Sequence, residues 1–233
     1  MIYVMADLHG EYDKFLAMLR KIKFSDEDVL YIIGDIVDRG PQPVRILQDI
    51  SMRFNVYPIL GNHEVMAFHT LKKLVEEITE ENYDTQIDEE TMQGLLEWQM
   101  NGGNSTIAEF KELTQDERMD LLEYMEEFTT YEIVEVRDKI FLLVHAGLGN
   151  FSEEKTMEDY TLSELAFSRC DYERQYFKDP SIYLVTGHTP TLAINGKPEI
   201  YKKNNNICID CGAVFPEGRL ACLCLDTMEE FYV

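Results

Sequence analysis

Five apolar runs along the chain end the same way, in a polar break. They are residues 2–9 (IYVMADLH), 29–35 (VLYIIGD), 56–63 (VYPILGNH), 140–147 (IFLLVHAG) and 182–189 (IYLVTGHT). Short runs rich in Ile, Val and Tyr and bounded by glycine predict buried strands. A helical period follows the first two. Residues 12–22 place Phe15, Leu16 and Leu19 on one face, and residues 44–52 place Ile46, Leu47 and Ile50. Strand, helix, strand predicts βαβ units, an α/β class and a largely buried sheet. Residues 65–129 change character. LKKLVEEITEE, TMQGLLEWQM and DERMDLLEYMEEF are acidic with helical spacing, broken by a polar stretch near residues 82–90. This predicts a helical cap inserted at about 65–129 into a single domain spanning 1–233. Its glutamates read as a solvated face, and Trp98 and Met100 as cap core. Beyond His188, EIYKK, NICIDCG, RLACLCLD and EEFYV predict a β-meander, with turns at 194–197 and 215–219.

In open α/β sheets, sites form at the carboxyl ends of strands. Asp7, His9, Asp35, Asn62, His63, His145 and His188 all lie just past such ends. Of the five histidines, His69 alone falls elsewhere, inside a helical pattern. Asp7 and His9 are two residues apart and in extended chain point the same way. A carboxylate can bridge two cations. The set therefore suffices for two ions: Asp7, His9 and Asp35 on one, and Asp35, Asn62, His145 and His188 on the other. Oxygen and imidazole donors without thiolate suit Mn, Fe or Zn better than Ca, with Mn the first choice. Two such ions stabilise the attacking and leaving oxygens of a phosphoryl displacement.

Composition narrows the partners. The chain of 233 residues carries 21 basic and 44 acidic side chains, a formal charge of −23. That surface repels polyanions and argues against nucleic acid or an anionic membrane as partner. A phosphate-bearing substrate needs a local positive centre, which two divalent ions provide. The first ten residues do not read as a signal peptide, and no run approaches the length of a membrane span. A cytoplasmic protein with reduced thiols is expected. Cys208 and Cys211 form a CxxC, and Cys222 and Cys224 a CxC, spacings that also occur in zinc and redox sites. In what read as neighbouring strands, cysteine serves better as a small buried apolar residue.

The segments DLHG (7–10), GDIVDRGP (34–41), GNHE (61–64), HAG (145–147) and GHT (187–189), in this order, resemble the binuclear-metal phosphoprotein phosphatase family of calcineurin-like metallophosphoesterases. The likeness runs from residue 2 to about 225. It is nearest to the small bacterial and phage serine/threonine phosphatases and the symmetrical diadenosine tetraphosphate hydrolases. WQMNGGNST (98–106) resembles the NGG segment of their cap. The resemblance implies a four-layer α/β/β/α sandwich. It implies that His63 is the general acid, oriented and kept protonated by Asp38, and that Arg39 and Arg169 hold phosphate, with Asn62 also in reach of it. A planar, permanently charged guanidinium suits that task. Four departures touch the pattern: Ala6 for glycine, Phe167 for tryptophan, Cys211 for threonine, and FPEGRL for a glycine pair.

The first expectation is a serine/threonine protein phosphatase that hydrolyses phosphomonoesters by attack of metal-bound hydroxide, its partner a phosphorylated protein or small molecule. The alternative is a symmetrical dinucleoside polyphosphate hydrolase, with adenine against Trp98, Tyr172 or Tyr176. A third reading, from another class, is a non-catalytic module that retains metals.

Overall fold

Side chains alternate between layers along each strand, and that alternation builds the molecule. A computed structural model describes residues 1–75 and 88–233. Strand β1 (Ile2–Met5) sends Tyr3 and Met5 to one side and Val4 to the other. β2 (Val29–Ile33) does the same with Leu30 and Ile32 against Ile33. Tyr3, Met5, Leu30 and Ile32 pack on Phe15 and Met18 of helix α1 (Tyr12–Ile22) and on Ile46 and Ile50 of α2 (Pro43–Ser51). Val4 and Ile33 face a second sheet.

The first sheet adds β3 (Val56–Ile59) parallel to β2, and β9 (Ala221–Cys224) and β10 (Glu230–Tyr232) on its other edge, in the order β10-β9-β1-β2-β3. The second is β4-β5-β6-β8-β7, from β4 (Tyr131–Val136), β5 (Lys139–Val144), β6 (Ile182–Thr186), β7 (Tyr201–Lys203) and β8 (Asn206–Cys208). Each holds three parallel strands, β1-β2-β3 and β5-β6-β8, with antiparallel strands beside them. Phe141, Leu143, Val185 and Ile207 meet Val4, Ile33, Ala221 and Leu223 between the sheets. Leu142, Val144 and Leu184 point outward onto Leu165 of helix α7 (Leu162–Ala166) and onto Tyr172 and Tyr176. The layers are helix, sheet, sheet, and a thin outer wall of helix and loop.

The predicted meander divides. β7 and β8 form an antiparallel pair in the second sheet, whereas β9 and β10 pair in the first. NICIDCG and RLACLCLD are therefore in facing sheets. A parallel neighbour for β6 and an antiparallel neighbour for β1 were both still needed, and one linear meander cannot supply both. The cysteines disperse accordingly: Cys222 and Cys224 face the helices, Cys211 lies between the sheets and Cys208 faces outward. All five are free and buried.

The insertion is helical: α3 (Asn62–Val75), α4 (Glu89–Met100), α5 (Asn104–Glu112) and α6 (Gln115–Glu126). α3 starts earlier than the pattern suggests, so Asn62 and His63 form its first turn. Asp88 caps α4 by accepting from the Thr91 amide, and Thr114 with Glu117 forms a capping box on α6. Trp98, Phe110, Leu121 and Met125 join the cluster of Phe15 and Ile46, so the cap and the helical layer share one core. Met100 is 88% exposed and is no part of it. Most of the polar stretch near residues 82–90 lies outside the described residues. No described helix is long and apolar enough to cross a membrane.

Candidate metal centre

Each of the six parallel strands delivers an acid or an imidazole donor at its carboxyl end. β1 leads to Asp7 and His9, β2 to Asp35, β3 to Asn62 and His63, β5 to His145, β6 to His188 and β8 to Asp210. The loops leaving β1 and β2 bond each other beyond the sheet. The amides of Asp7, His9 and Gly10 donate to the carbonyls of Gly34, Asp35 and Ile36 at 2.9–3.0 Å. This convergence holds Asp7, His9, Asp35, Asp38, Arg39 and His188 at positive φ, between 41° and 72°. Non-glycine residues in that region cost about 1–3 kcal/mol each and persist where surroundings enforce them.

Donor atoms fall into two groups whose members lie within 4.8 Å of one another: His9, Asp35 and His63, and Asp35, His145 and His188. Asp35 belongs to both. Asn62 Oδ1 joins the second group, 3.1 Å from His145 Nε2 and 2.8 Å from His188 Nδ1. Asp7 is beside it, accepting the His188 amide at 3.0 Å. Two imidazoles are fixed from behind: His9 Nδ1 is 2.9 Å from the Val37 carbonyl and His145 Nδ1 2.9 Å from that of Ile33. Each therefore donates from Nδ1 and turns Nε2 into the cleft, the nitrogen left free to take a cation in place of a proton. Nε2 of His145 then meets Asn62 Oδ1, His188 Nδ1 and, at 3.3 Å, Asp35 Oδ1. Three imidazole or amide groups and a carboxylate converging on one point leave room for a cation where His145 now carries a proton.

Charge leads to the same requirement. Asp7, Asp35, Asp38, Glu64 and Asp210 are all buried here, and buried carboxylates need counter-charge. Burial and the neighbouring Asp210 push the Asp7 carboxyl well above its usual range. Burial also works against Asp35, but the imidazoles of His145 and His63 hold its carboxyl well below that range. His145 resists burial and rises to about 10 because Asp35 and Asp7 face it. Burial takes His9 down to about 3 and, with His145, His188 to about 4, leaving both imidazoles neutral.

His63 stands beside this cluster, its Nδ1 2.6 Å from Asp38 Oδ2. Two cap residues complete the Asp38 carboxylate: Trp98 Nε1 donates to Oδ2 at 2.7 Å and Thr106 Oγ1 to Oδ1 at 2.6 Å. Gly102 and Gly103 permit this approach. A Cβ on Gly102 (φ +108°) would strike the Arg39 side chain, and one on Gly103 the Trp98 indole. Arg39 reaches the cleft with Nη1 2.8 Å from His9 Nε2 and Nη2 2.9 Å from His63 Nε2. Arg169 donates to Thr189 Oγ1, next to His188, at 3.1 Å.

The structure thus gathers Asp7, His9, Asp35, Asp38, Arg39, Asn62, His63, His145, Arg169 and His188 around one cleft, while His69 is exposed on α3. Trp98 is fully buried as a partner of Asp38, so it offers adenine no face. Tyr172 is buried too, bonded to Thr186. Two residues escaped sequence reasoning. Glu64 is wholly buried and accepts from the amides of Asp35, Ile36, Val37 and Gly61 at 2.7–3.1 Å, so one carboxylate ties the loop after β2 to α3. Its signal was the last letter of GNHE. Asp210, driven up to about 6 by burial, ends β8 as the other donors end theirs. The run NICID carried that signal.

Two facing mixed sheets, with carboxylates and imidazoles at the ends of their parallel strands, form a metallophosphoesterase fold. The chain belongs to the calcineurin-like phosphoesterase family, whose sequence pattern matches residues 1–210. Among curated relatives, the symmetrical bis(5'-nucleosyl)-tetraphosphatase of Wigglesworthia glossinidia brevipalpis is 36% identical over 80 residues, 32% of this chain and 29% of that protein. The chain thus matches under a third of that relative's length. The asymmetrical bis(5'-nucleosyl)-tetraphosphatase PrpE of Bacillus velezensis is 24% identical over 91% of this chain and 84% of its own. A crystal structure described as a candidate diadenosine tetraphosphatase superposes with a TM-score of 0.65 at 17% identity, covering all of this chain and 92% of its own. A cold-active protein tyrosine phosphatase gives 0.52 at 16%, covering 99% and 78%. At such identities the likeness concerns the fold.

Proposed function

We propose that the protein is a divalent-metal-dependent hydrolase that splits dinucleoside polyphosphates. The observation that carries the chemistry is the doubly shared Asp35 carboxylate, with imidazoles on either side and Arg39 and Arg169 at the rim. The substrate rests on the relatives, since curated proteins similar to this chain are named as bis(5'-nucleosyl)-tetraphosphatases. This reverses the order of the sequence expectation, which put a phosphoprotein first.

Asp7, His9 and Asp35 would hold one ion, and Asp35, Asn62, His145 and His188 the other. His63 also lies within reach of the first group. Bound there, two divalent ions, Mn first among Mn, Fe and Zn, supply Lewis acidity, an acidified water and charge to offset phosphate. The chain's own groups do the rest. Arg39 and Arg169 orient the phosphoryl group, the guanidinium of Arg39 turning from the imidazoles to the anion. His63 Nε2 gives a proton to the leaving phosphate oxygen, and Asp38 fixes the ring from Nδ1. Trp98, Thr106 and Glu64 hold these groups in place.

The test is a panel of diadenosine tetraphosphate, a phosphoserine peptide and p-nitrophenyl phosphate with the manganese-loaded enzyme. The dinucleotide is expected to show the highest kcat/KM. A peptide turned over faster than the dinucleotide would return the reading to a protein phosphatase. Metal content with no turnover of any of them would favour a binding module.

A further inference from the structure

Next to the metal centre lies an open cleft of about 560 Å³ that the chemistry above leaves unused. Asn150, Phe167, Ser168, Arg169, Arg174 and Tyr176 are in its lining. Its wall is tied to the centre. After His145, the amide of Ala146 donates to Leu165 and that of Gly149 to Glu164, both on α7, at 2.9–3.0 Å. Gly147 packs so closely on Cys170 that a Cβ there would sit 3.0 Å from the Cys170 amide nitrogen. Arg169 belongs to both places: it lines the cleft and bonds Thr189, the neighbour of His188.

Two properties identify an occupant. The cleft brings two arginines, Arg169 and Arg174, to one place in a chain of charge −23. Among the described residues, neither Arg169 nor Arg174 is paired with a carboxylate. Arg169 bonds Thr189, and Arg174 lies 5.6 Å from the Phe151 ring centroid and 5.9 Å from that of Tyr176. Those rings attract the guanidinium without taking up its N–H donors, which are left for a ligand. Of the two acids in the lining, Glu164 is paired with Lys155, and Asp171 is exposed to solvent. Glu164 accepts from Lys155, Asn150 and Thr161, and Asp171 accepts from the Glu173 amide. The cleft also carries a bare aromatic: Phe167, at the end of α7, is 44% exposed. Unpaired guanidinium beside an exposed ring recognises a phosphate chain joined to a flat heterocycle.

We propose that this cleft seats the distal nucleotide of the dinucleoside polyphosphate, with Arg174 on the phosphates beyond the one attacked and Phe167 stacked on the base. The assignment rests on the function proposed above. It makes Arg174 and Phe167 specificity residues rather than catalytic ones. An aryl phosphate stops at Arg169 and never reaches them; a dinucleotide spans both.

Arg174→Gln, Arg174→Lys and Phe167→Ala are all exposed substitutions. Arg137→Gln removes the same charge from the β4–β5 turn, at the opposite end of β5 from His145. The manganese-loaded proteins are titrated calorimetrically with a methylene-bridged, non-hydrolysable diadenosine tetraphosphate. They are also assayed on diadenosine tetraphosphate and p-nitrophenyl phosphate. Arg174→Gln is expected to weaken analogue binding about tenfold, the loss of one charge-assisted phosphate contact. The kcat/KM ratio of dinucleotide to aryl phosphate falls by a similar factor. Arg174→Lys lies between, Phe167→Ala loses about fivefold or more, and Arg137→Gln matches wild type. Arg174→Gln and Phe167→Ala proteins that bind the analogue as wild type does would overturn the cleft assignment while leaving the dinucleotide activity standing. A wild-type enzyme that turns over p-nitrophenyl phosphate yet neither binds the analogue nor splits the dinucleotide would remove both.

Discussion

Trp98→Phe tests whether the cap is part of the catalytic apparatus. The indole N–H donates at 2.7 Å to the same Asp38 oxygen that receives His63 Nδ1. Thr106 holds the other oxygen at 2.6 Å, and the carboxylate is fully buried. Phenylalanine keeps most of the ring volume but removes that donor. A hydrogen bond to a buried charged group is worth about 1.5–3 kcal/mol. If the bond matters only while His63 releases its proton, the whole amount falls on kcat, a loss of about 10- to 150-fold. The smaller ring also leaves a void, which lowers stability whatever the mechanism. Leaving-group dependence separates the two effects. An alkyl phosphate needs its leaving oxygen protonated, whereas p-nitrophenolate departs nearly unaided. The kcat loss should therefore be about tenfold larger for a phosphoserine peptide or simple alkyl phosphate than for p-nitrophenyl phosphate. Thr106→Val, which removes the other donor at almost constant volume, should repeat the pattern. Equal losses on both substrates in a folded variant would refute a role through Asp38 and reduce Trp98 to packing.

Three further outcomes follow from the site. Glu64→Gln keeps the shape but takes charge from an anchor of four amides, so manganese affinity measured by calorimetry should drop at least tenfold, with unfolding at lower temperature; unchanged affinity would dismiss the anchor. Asp210 has its pKa raised from 3.8 to about 6 mainly by burial, so the stability linked to its proton is complete below about pH 4 and lost as pH rises through 6. In EDTA-treated protein, Asp210→Asn should thus be more stable than wild type at pH 8, by up to about 3 kcal/mol, and show no advantage at pH 4; a gain independent of pH would contradict the assignment. Iodoacetamide should leave the native protein unmodified, because all five thiols are buried and burial raises Cys211 to about 12; rapid labelling at Cys208 or Cys211 by mass spectrometry would reopen a thiol role.

The donors were legible because each obeys one rule that a linear pattern can carry: an apolar strand ends, and a ligand-type residue follows. Asp7, Asp35, His145 and His188 stand out against four or five apolar neighbours. Asp210 obeys the same rule, yet the cysteines around it drew attention to themselves. What a linear pattern cannot carry is which strand lies beside which. The last four strands look alike in sequence, and their division between two sheets depends on vacant edges beside β1 and β6 created elsewhere. The partners of Asp38 were hidden for a related reason. Trp98 and Thr106 are 60 and 68 residues away from it, and a buried tryptophan reads as packing until its N–H has a destination.

The local charge resolves an apparent conflict in the composition. A chain with 23 more acids than bases should repel a polyphosphate. Yet the acids nearest the chemistry are turned inward, Asp38 onto His63, Trp98 and Thr106, Glu64 onto four amides and Asp35 onto imidazoles. Three arginines are turned the other way: Arg39, Arg169 and Arg174 are exposed, the last two in the lining of the cleft. Counter-charge for the buried acids and attraction for the substrate are thus supplied by different groups. On the function proposed above, divalent ions would meet the first need and arginines the second, which is how an acidic protein could keep a place for an anion.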